Sequence, residues 1–302
     1  MKKISYVLVS RNDNYCGDSV GRLTTTLNHT GDILFKKGKL DQSEVVLVDW
    51  NSPNAPLSEV LSLNENIKQM LKIVTIPPQI ANKYQKDSPF SEVHAMNCGF
   101  RRMSGEYFAR IDQDTLIGER FIDFFYDEFG VKDYGFDWPK VLFSGRRNLS
   151  PEQSKNPSDF IEGENSFSVE ICHPHNYYSR IIPNKKAFLF PFYGGAVGIL
   201  AIHKEIFLKE KGFNEEMIYM NNMDTELFNR LAQKYPIYNL GLKVEADFYH
   251  IFHERRDGAE GDATQPFVSE SGNRKTNDLD YRRKLIDNSN LENFWGLKQE
   301  VI

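Results

Sequence analysis

Four short, nearly continuous apolar runs fall in the first 111 residues, at 6–9, 45–48, 73–76 and 107–111, and each stops abruptly at polar or proline residues. Strands that read as unbroken Val, Ile and Leu, rather than alternating with polar residues, are covered on both faces. The segments between them carry helical spacing instead. Val20, Leu23 and Leu27 recur on one helix face, Leu57, Val60 and Leu61 follow Pro56, a helix is predicted over 92–103, and Phe121, Phe125 and Phe129 stand four apart. Strands alternating with helices predict an α/β fold, a mostly parallel central sheet with helices on both faces. Such sheets bind ligands beyond the carboxyl ends of their strands. The polar clusters at 10–13, 49–52 and 112–114 all sit at such ends.

The remainder of the 302 residues sets the organisation. Residues 146–187 are polar, aromatic and turn-rich and read as an excursion, a kind of segment that often carries function. Order returns with 192–199, helices at 203–211 and 224–235, and a last strand over 244–249. The expected division is a domain over 1–256, containing the 146–187 excursion on the acceptor side, and a C-terminal flap and tail over 257–302 with a short helix near 281–286. A net charge of −5 excludes a general nucleic-acid binder. Cys16, Cys98 and Cys172 form no Cys-X-X-Cys, which argues against a zinc site or disulfide framework and for a reducing compartment. No apolar run approaches the ~20 residues of a membrane span. The expected location is the cytoplasm, or the periphery of a membrane through a partner.

The candidate chemistry begins at Asp112-Gln113-Asp114. On a strand, residues two apart point to one side. The two carboxylates could then converge on a hard divalent cation that bridges to phosphate. The competing explanation is a solvated turn, where Asp is common. His250 and His253 follow the last strand, and one of them could complete the shell. Asp224 opens a helix with an apolar face at Leu227, Phe228 and Leu231. It can cap that helix or act as a general base, and a helix N-terminus favours its ionised form. Glu226 is the runner-up for that role. Gly194 and Gly195 allow a tight bend or close approach of backbone to a ligand. Asp49, Ser10 and Arg11 stand at strand ends where they could read a nucleotide, or simply make the loops polar.

Taken in order, these pieces resemble the nucleotide-diphospho-sugar transferase fold of family-2-type glycosyltransferases, called GT-A. The stretch from Glu92 to Tyr107, with Asn97-Cys98-Gly99 before Ser104-Gly105-Glu106-Tyr107, is similar to that family's helix leading into its Asp-X-Asp. The second half looks like the β-1,4-galactosyltransferases: Phe192-Tyr193-Gly194-Gly195, a helix from His203, Gly212-Phe213, then Asp224-Thr225-Glu226-Leu227-Phe228-Asn229-Arg230-Leu231. Asp224 falls on that family's catalytic Asp, and His253, followed by Glu254-Arg255-Arg256, on its metal-binding His. A register closer to polypeptide N-acetylgalactosaminyltransferases selects His250 instead. Met223 replaces the family's Glu, and Asp49-Trp50 its Asp-Asp. The resemblance implies a metal-dependent, inverting hexosyltransferase using Mn2+ or Mg2+. Its substrates would be a nucleotide-sugar donor, expected to be a UDP-sugar, and a glycan or other hydroxyl acceptor. Ser10, Arg11, Asp49, Asn97, Asp112, Gly194 and Gly195 would face the donor, and Asp114, with Asp112 and His250 or His253, the metal. A sugar nucleotidyltransferase would need a basic, Gly-rich loop where Ser10-Arg11-Asn12-Asp13-Asn14 stands. A non-catalytic carbohydrate-binding protein on the same fold is the alternative from another class.

Overall fold

The computed structural model describes residues 2–88, 90–128, 141–157, 161, 169–172, 197–219, 223–240, 246–253 and 296–297. The first half runs β1 (Ile4–Ser10), α1 (Ser19–Lys36), β2 (Ser43–Trp50), the short helices α2 (Leu57–Val60) and α3 (Glu65–Lys68), then β3 (Leu71–Ile76) and α4 (Pro78–Gln85). Next come α5 (Glu92–Arg102), β4 (Tyr107–Arg110), β5 (Thr115–Ile117) and α6 (Glu119–Asp123). The second half supplies β6 (Val141–Gly145), β7 (Arg147–Asn148), β8 (Val169–Cys172), β9 (Val197–His203), α7 (Lys204–Lys209), α8 (Met223–Ala232), β10 (Ile237–Leu240) and β11 (Phe248–His250).

Eight strands form one sheet in the order β3-β2-β1-β4-β9-β6-β10-β8. The β3-β2-β1-β4 half is parallel throughout, as its apolar runs predict, and β6 and β10 are also parallel. β9 runs antiparallel between β4 and β6, and β8 antiparallel at the edge beside β10. Alternate residues feed two cores. Val7, Val9, Val46, Val48, Trp50 and Phe108 face the layer containing α4, α5, α7 and α8. Tyr6, Leu8, Val45, Leu47, Tyr107, Ala109 and Ile111 face that of α1, α3 and α6. Helices therefore cover both faces. Gly99 lets α5 approach closely, since a Cβ there would lie 2.5 Å from Val7 Cγ1.

A second, three-stranded sheet has the order β5-β11-β7. β11 runs antiparallel to β5, pairing His250 with Thr115, and parallel to β7, pairing His250 with Asn148. It holds the functional end of the molecule together. The expected excursion at 146–187 therefore contributes strands to both sheets, β7 to the small one and β8 to the edge of the large one. The rest of that excursion, apart from 146–157 and 161, lies outside the described residues, as do Gly194, Gly195 and the predicted strand over 244 and 245. So does the tail except for Gly296 and Leu297, which pack near α5: Gly296 N donates to Glu215 at 2.8 Å, and Leu297 is buried. Among the described residues no helix is long and apolar enough to cross a membrane.

Candidate metal and acid–base site

The chain leaves β4 into a turn rather than extending the strand, because Thr115 N donates to Asp112 O at 3.2 Å. The rule that residues two apart share a side holds only for extended backbone. Asp112 and Asp114 accordingly take different partners, Asp112 the guanidiniums of Arg110 and Arg146 and Asp114 the two histidines. Ser10, at the end of β1, donates its hydroxyl to Gln113 between them.

Asp114 is buried and turned toward β11. Its Oδ1 lies 3.3 Å from His250 Nε2 and its Oδ2 3.4 Å from His253 Nε2. The β5–β11 pairing fixes this meeting, and Ile251 N donates to Asp114 O at 2.9 Å. One ligand atom from each of the three residues lies within 4.8 Å of the others. No choice between the histidines is needed, since the geometry offers both. Burial pushes the Asp114 carboxyl up, but hydrogen bonds from both imidazoles and the charges of His250 and Arg146 outweigh it and hold the group well below the usual range. Arg22, from α1, brings its Nε to 3.7 Å from the same carboxylate. Its other nitrogens donate to the backbone oxygens of Tyr15, Cys16 and Gly17. Tyr15 in turn meets His253 edge-on, with ring centroids 6.3 Å apart. A carboxylate and two imidazoles make a donor set suited to a first-row divalent cation.

Asp112 meets two guanidiniums. Arg110 approaches it at 2.7 Å, and Arg146, between β6 and β7, donates to its other oxygen. Among the described residues, the group able to hold a metal does not include it. Arg110 also pairs with Glu92 at the first turn of α5, at 3.1 Å, and with Asp224 in the first turn of α8, at 3.3 Å. Burial raises the Asp224 carboxyl; Arg110 opposes that, Asp112 adds to it and Arg146 opposes it. Burial likewise raises Glu92, to about 7, against Arg110 and with help from Asp224 and Asp112. Arg110 stays charged: burial works against it, and the three carboxylates more than compensate.

The other predicted residues have internal partners. Asp49, fully buried, accepts from Leu57 N at 2.8 Å and from the Ser52 hydroxyl, so it shapes the loop after β2. That loop is tied to the one after β1 through Asn12 N, which donates to Ser52 Oγ at 2.8 Å. Arg11 pairs with Asp13 at 3.2 Å. Asn97 is clamped to the backbone of Phe213, donating to its carbonyl and accepting from its N–H, both at 2.9 Å. Glu226 makes a two-point ion pair with Arg230, at 2.7 and 2.9 Å, deep in the core. Arg230 then donates to the carbonyls of Glu210 and Gly212. Both oxygens of Glu226 are thus engaged away from Asp224.

Arg110, Arg146, Glu92 and Arg22 were not among the predicted site residues. One signal was present: Arg110 is a charge inside an otherwise apolar strand, Tyr107-Phe108-Ala109-Arg110-Ile111.

Several solved structures superpose on this chain. The 1–349 fragment of TarS from S. aureus, in complex with UDP-GlcNAc, superposes with a TM-score of 0.52 at 18% identity, over 84% of this chain and 59% of that one. The same fragment without that ligand gives 0.50 at 16% identity, over 82% of this chain and 60% of that one. The fold is GT-A. A mannosyltransferase from Pyrobaculum calidifontis, in complex with GDP-Man and Mn2+, is more distant, at a TM-score of 0.48 and 13% identity over 85% of this chain and 58% of that one. The chain thus spans about 60% of the TarS fragment's length. No protein-family model matches the sequence, and no curated protein matches it significantly.

Proposed function

We propose that this chain is a metal-dependent glycosyltransferase that moves a sugar from a nucleotide-sugar to a hydroxyl acceptor. The observation that carries the reading is the joint presence, at the strand ends of a GT-A fold, of the Asp114–His250–His253 group and of the Arg110-paired carboxylate of Asp224. Asp114, His250 and His253 would hold the cation, and two imidazoles are ill suited to Mg2+, a hard cation that binds through oxygen ligands; of the two ions the family resemblance implies, this leaves Mn2+. The cation, when bound, supplies positive charge against the diphosphate of the donor. Asp224 accepts the proton of the attacking hydroxyl. A single carboxylate base on the acceptor side is consistent with inversion at the anomeric carbon, as the family resemblance implies. TarS, the neighbour whose likeness carries the fold, is solved with UDP-GlcNAc, which supports a UDP-sugar as the first donor to try. Residues 1–256 are assigned to the transferase domain. The loops at 10–13 and 49–57, zipped together by Asn12 and Ser52, are assigned to the nucleoside end of the donor.

A thermal-shift screen of UDP- and GDP-hexoses with and without Mn2+ tests the donor and metal, because a ligand specific to the native state raises its apparent stability. Stabilisation by a nucleotide-sugar only when Mn2+ is present is the expected result. Equal shifts in a metal-stripped sample would overturn the metal assignment. Asp224→Asn should retain the donor-induced shift and lose transfer.

A further inference from the structure

We infer that Arg110 is the positioning residue for Asp224, shared with Glu92 so that the carboxylate is oriented without its lone pairs being consumed. This rests on the proposed transfer reaction.

Arg110 ends β4 on the same side as Phe108, a fully buried core residue. A charge on a core-facing strand position is costly unless it is paired. Its pairing is unusual in origin. Three acids from three separate elements meet one guanidinium: Glu92 opening α5, Asp112 in the turn after β4, and Asp224 opening α8. Two helix starts are thereby fixed on one strand end. With Arg146 included, three carboxylates face two guanidiniums, one negative charge in excess when all are ionised.

The quality of the contacts separates Asp224 from the other two acids. Glu92 accepts a hydrogen bond from Arg110, and Asp112 one from Arg146. The Arg110–Asp224 contact, 3.3 Å between Nε and Oδ1, is an ion pair without a hydrogen bond, and among the described residues the buried Oδ1 of Asp224 and the Nε and Nη1 of Arg110 have no hydrogen-bond partner. Asp224 is therefore held by charge through Oδ1, while its side chain stays 20% exposed and able to accept a proton. In the reaction the acceptor O–H bond breaks, its proton goes to Asp224, and its electron pair forms the new bond to the anomeric carbon. The anomeric C–O bond breaks, and the nucleoside diphosphate leaves with that pair. Above about pH 7, where it is ionised, Glu92 draws part of the guanidinium's charge, so that Arg110 does not over-stabilise ionised Asp224 and blunt its basicity.

The test is steady-state hydrolysis of a panel of UDP- and GDP-hexoses by the full chain with Mn2+, water serving as acceptor, for Asp224→Asn, Arg110→Lys, Glu92→Gln and the doubles with Asp224→Asn. Loss of a general base costs about 10²–10⁴-fold in kcat. Arg110→Lys keeps the charge but not the fork, and should lower kcat about tenfold or more with the donor KM within about twofold. Glu92→Gln, which can still accept from Arg110, should lower kcat severalfold at unchanged KM and serves if Arg110→Lys does not fold. Neither change should lower kcat further in the Asp224→Asn background, since residues acting as one unit are not additive. Multiplicative losses in that background, or wild-type kcat in both single variants, would overturn the inference while leaving the base assignment intact. An Asp224→Asn enzyme with undiminished kcat would instead overturn the base assignment, and a wild-type chain that no donor stabilises in the thermal-shift screen and that hydrolyses none would overturn the transfer reading; the inference falls with either.

Discussion

The Nε2 atom of His253 stands 3.4 Å from Oδ2 of Asp114, although one residue follows β11 and the other precedes β5. With His250 on the other oxygen, the carboxylate is bracketed by two imidazoles. Asp114→Asn, His250→Ala and His253→Ala should each abolish the Mn2+-dependent thermal shift given by a nucleotide-sugar. Mn2+ should support donor binding at lower concentration than Mg2+, because Mg2+ binds through oxygen ligands and is poorly served by two imidazoles. Equal half-saturation by the two ions would contradict this ligand set.

Glu226 should matter to stability and not to chemistry. Glu226→Ala leaves Arg230 buried without its counter-charge, a defect worth about 3–5 kcal/mol. Calorimetry should show a fall in Tm of roughly 5–15 °C for a domain of this size. Hydrolysis per folded molecule should be unchanged. A stable variant with lost turnover would return Glu226 to the catalytic role first considered for it.

Asn97 separates the same two possibilities on the donor side. Its side chain satisfies both backbone groups of Phe213, so Asn97→Ala should cost about 1–3 kcal/mol in urea unfolding. Donor affinity of the folded protein should hold. Loss of affinity at unchanged stability would point instead to contact with the nucleoside.

Glu92 gives stability a pH dependence of defined sign. Its folded pKa, about 7, lies above the ordinary 4.5, so the fold favours the protonated form. That contribution is complete below about 4.5 and is lost as pH rises through about 7. Glu92→Gln, which never ionises, should therefore gain stability relative to wild type between pH 5 and about pH 8 in paired denaturation curves. A difference that stays constant, or moves the other way, would show that Glu92 is ionised in the folded state.

The parallel half-sheet was legible because its strands are buried on both faces, and uniform apolarity at Val45-Val46-Leu47-Val48 has few other causes. The sides taken by Asp112 and Asp114 were not. They depend on one turn hydrogen bond, from Thr115 to Asp112, and on a register set by β11, a strand of three residues from the far end of the sequence. β7, Arg147-Asn148, escaped notice because pairing rather than its polar composition makes it a strand, and β8, Val169-Glu170-Ile171-Cys172, because four residues inside a polar, turn-rich segment do not stand out. The Glu226–Arg230 pair was visible in principle, at the helical spacing where opposite charges meet. Arg110 was read as part of a strand when its charge was the more informative property.

The insertion of β11 between β5 and β7 also fixes a time order. Chains emerge from the ribosome N-terminus first and fold domain by domain. Asp114 and the four parallel strands are made early, but its two histidine partners arrive only after β10. A nascent or clipped chain stopping short of His250 would carry the loops after β1 and β2 but only one of the three residues of the candidate cation group. Affinity for Mn2+ would then report that the last pieces of the central architecture have been delivered.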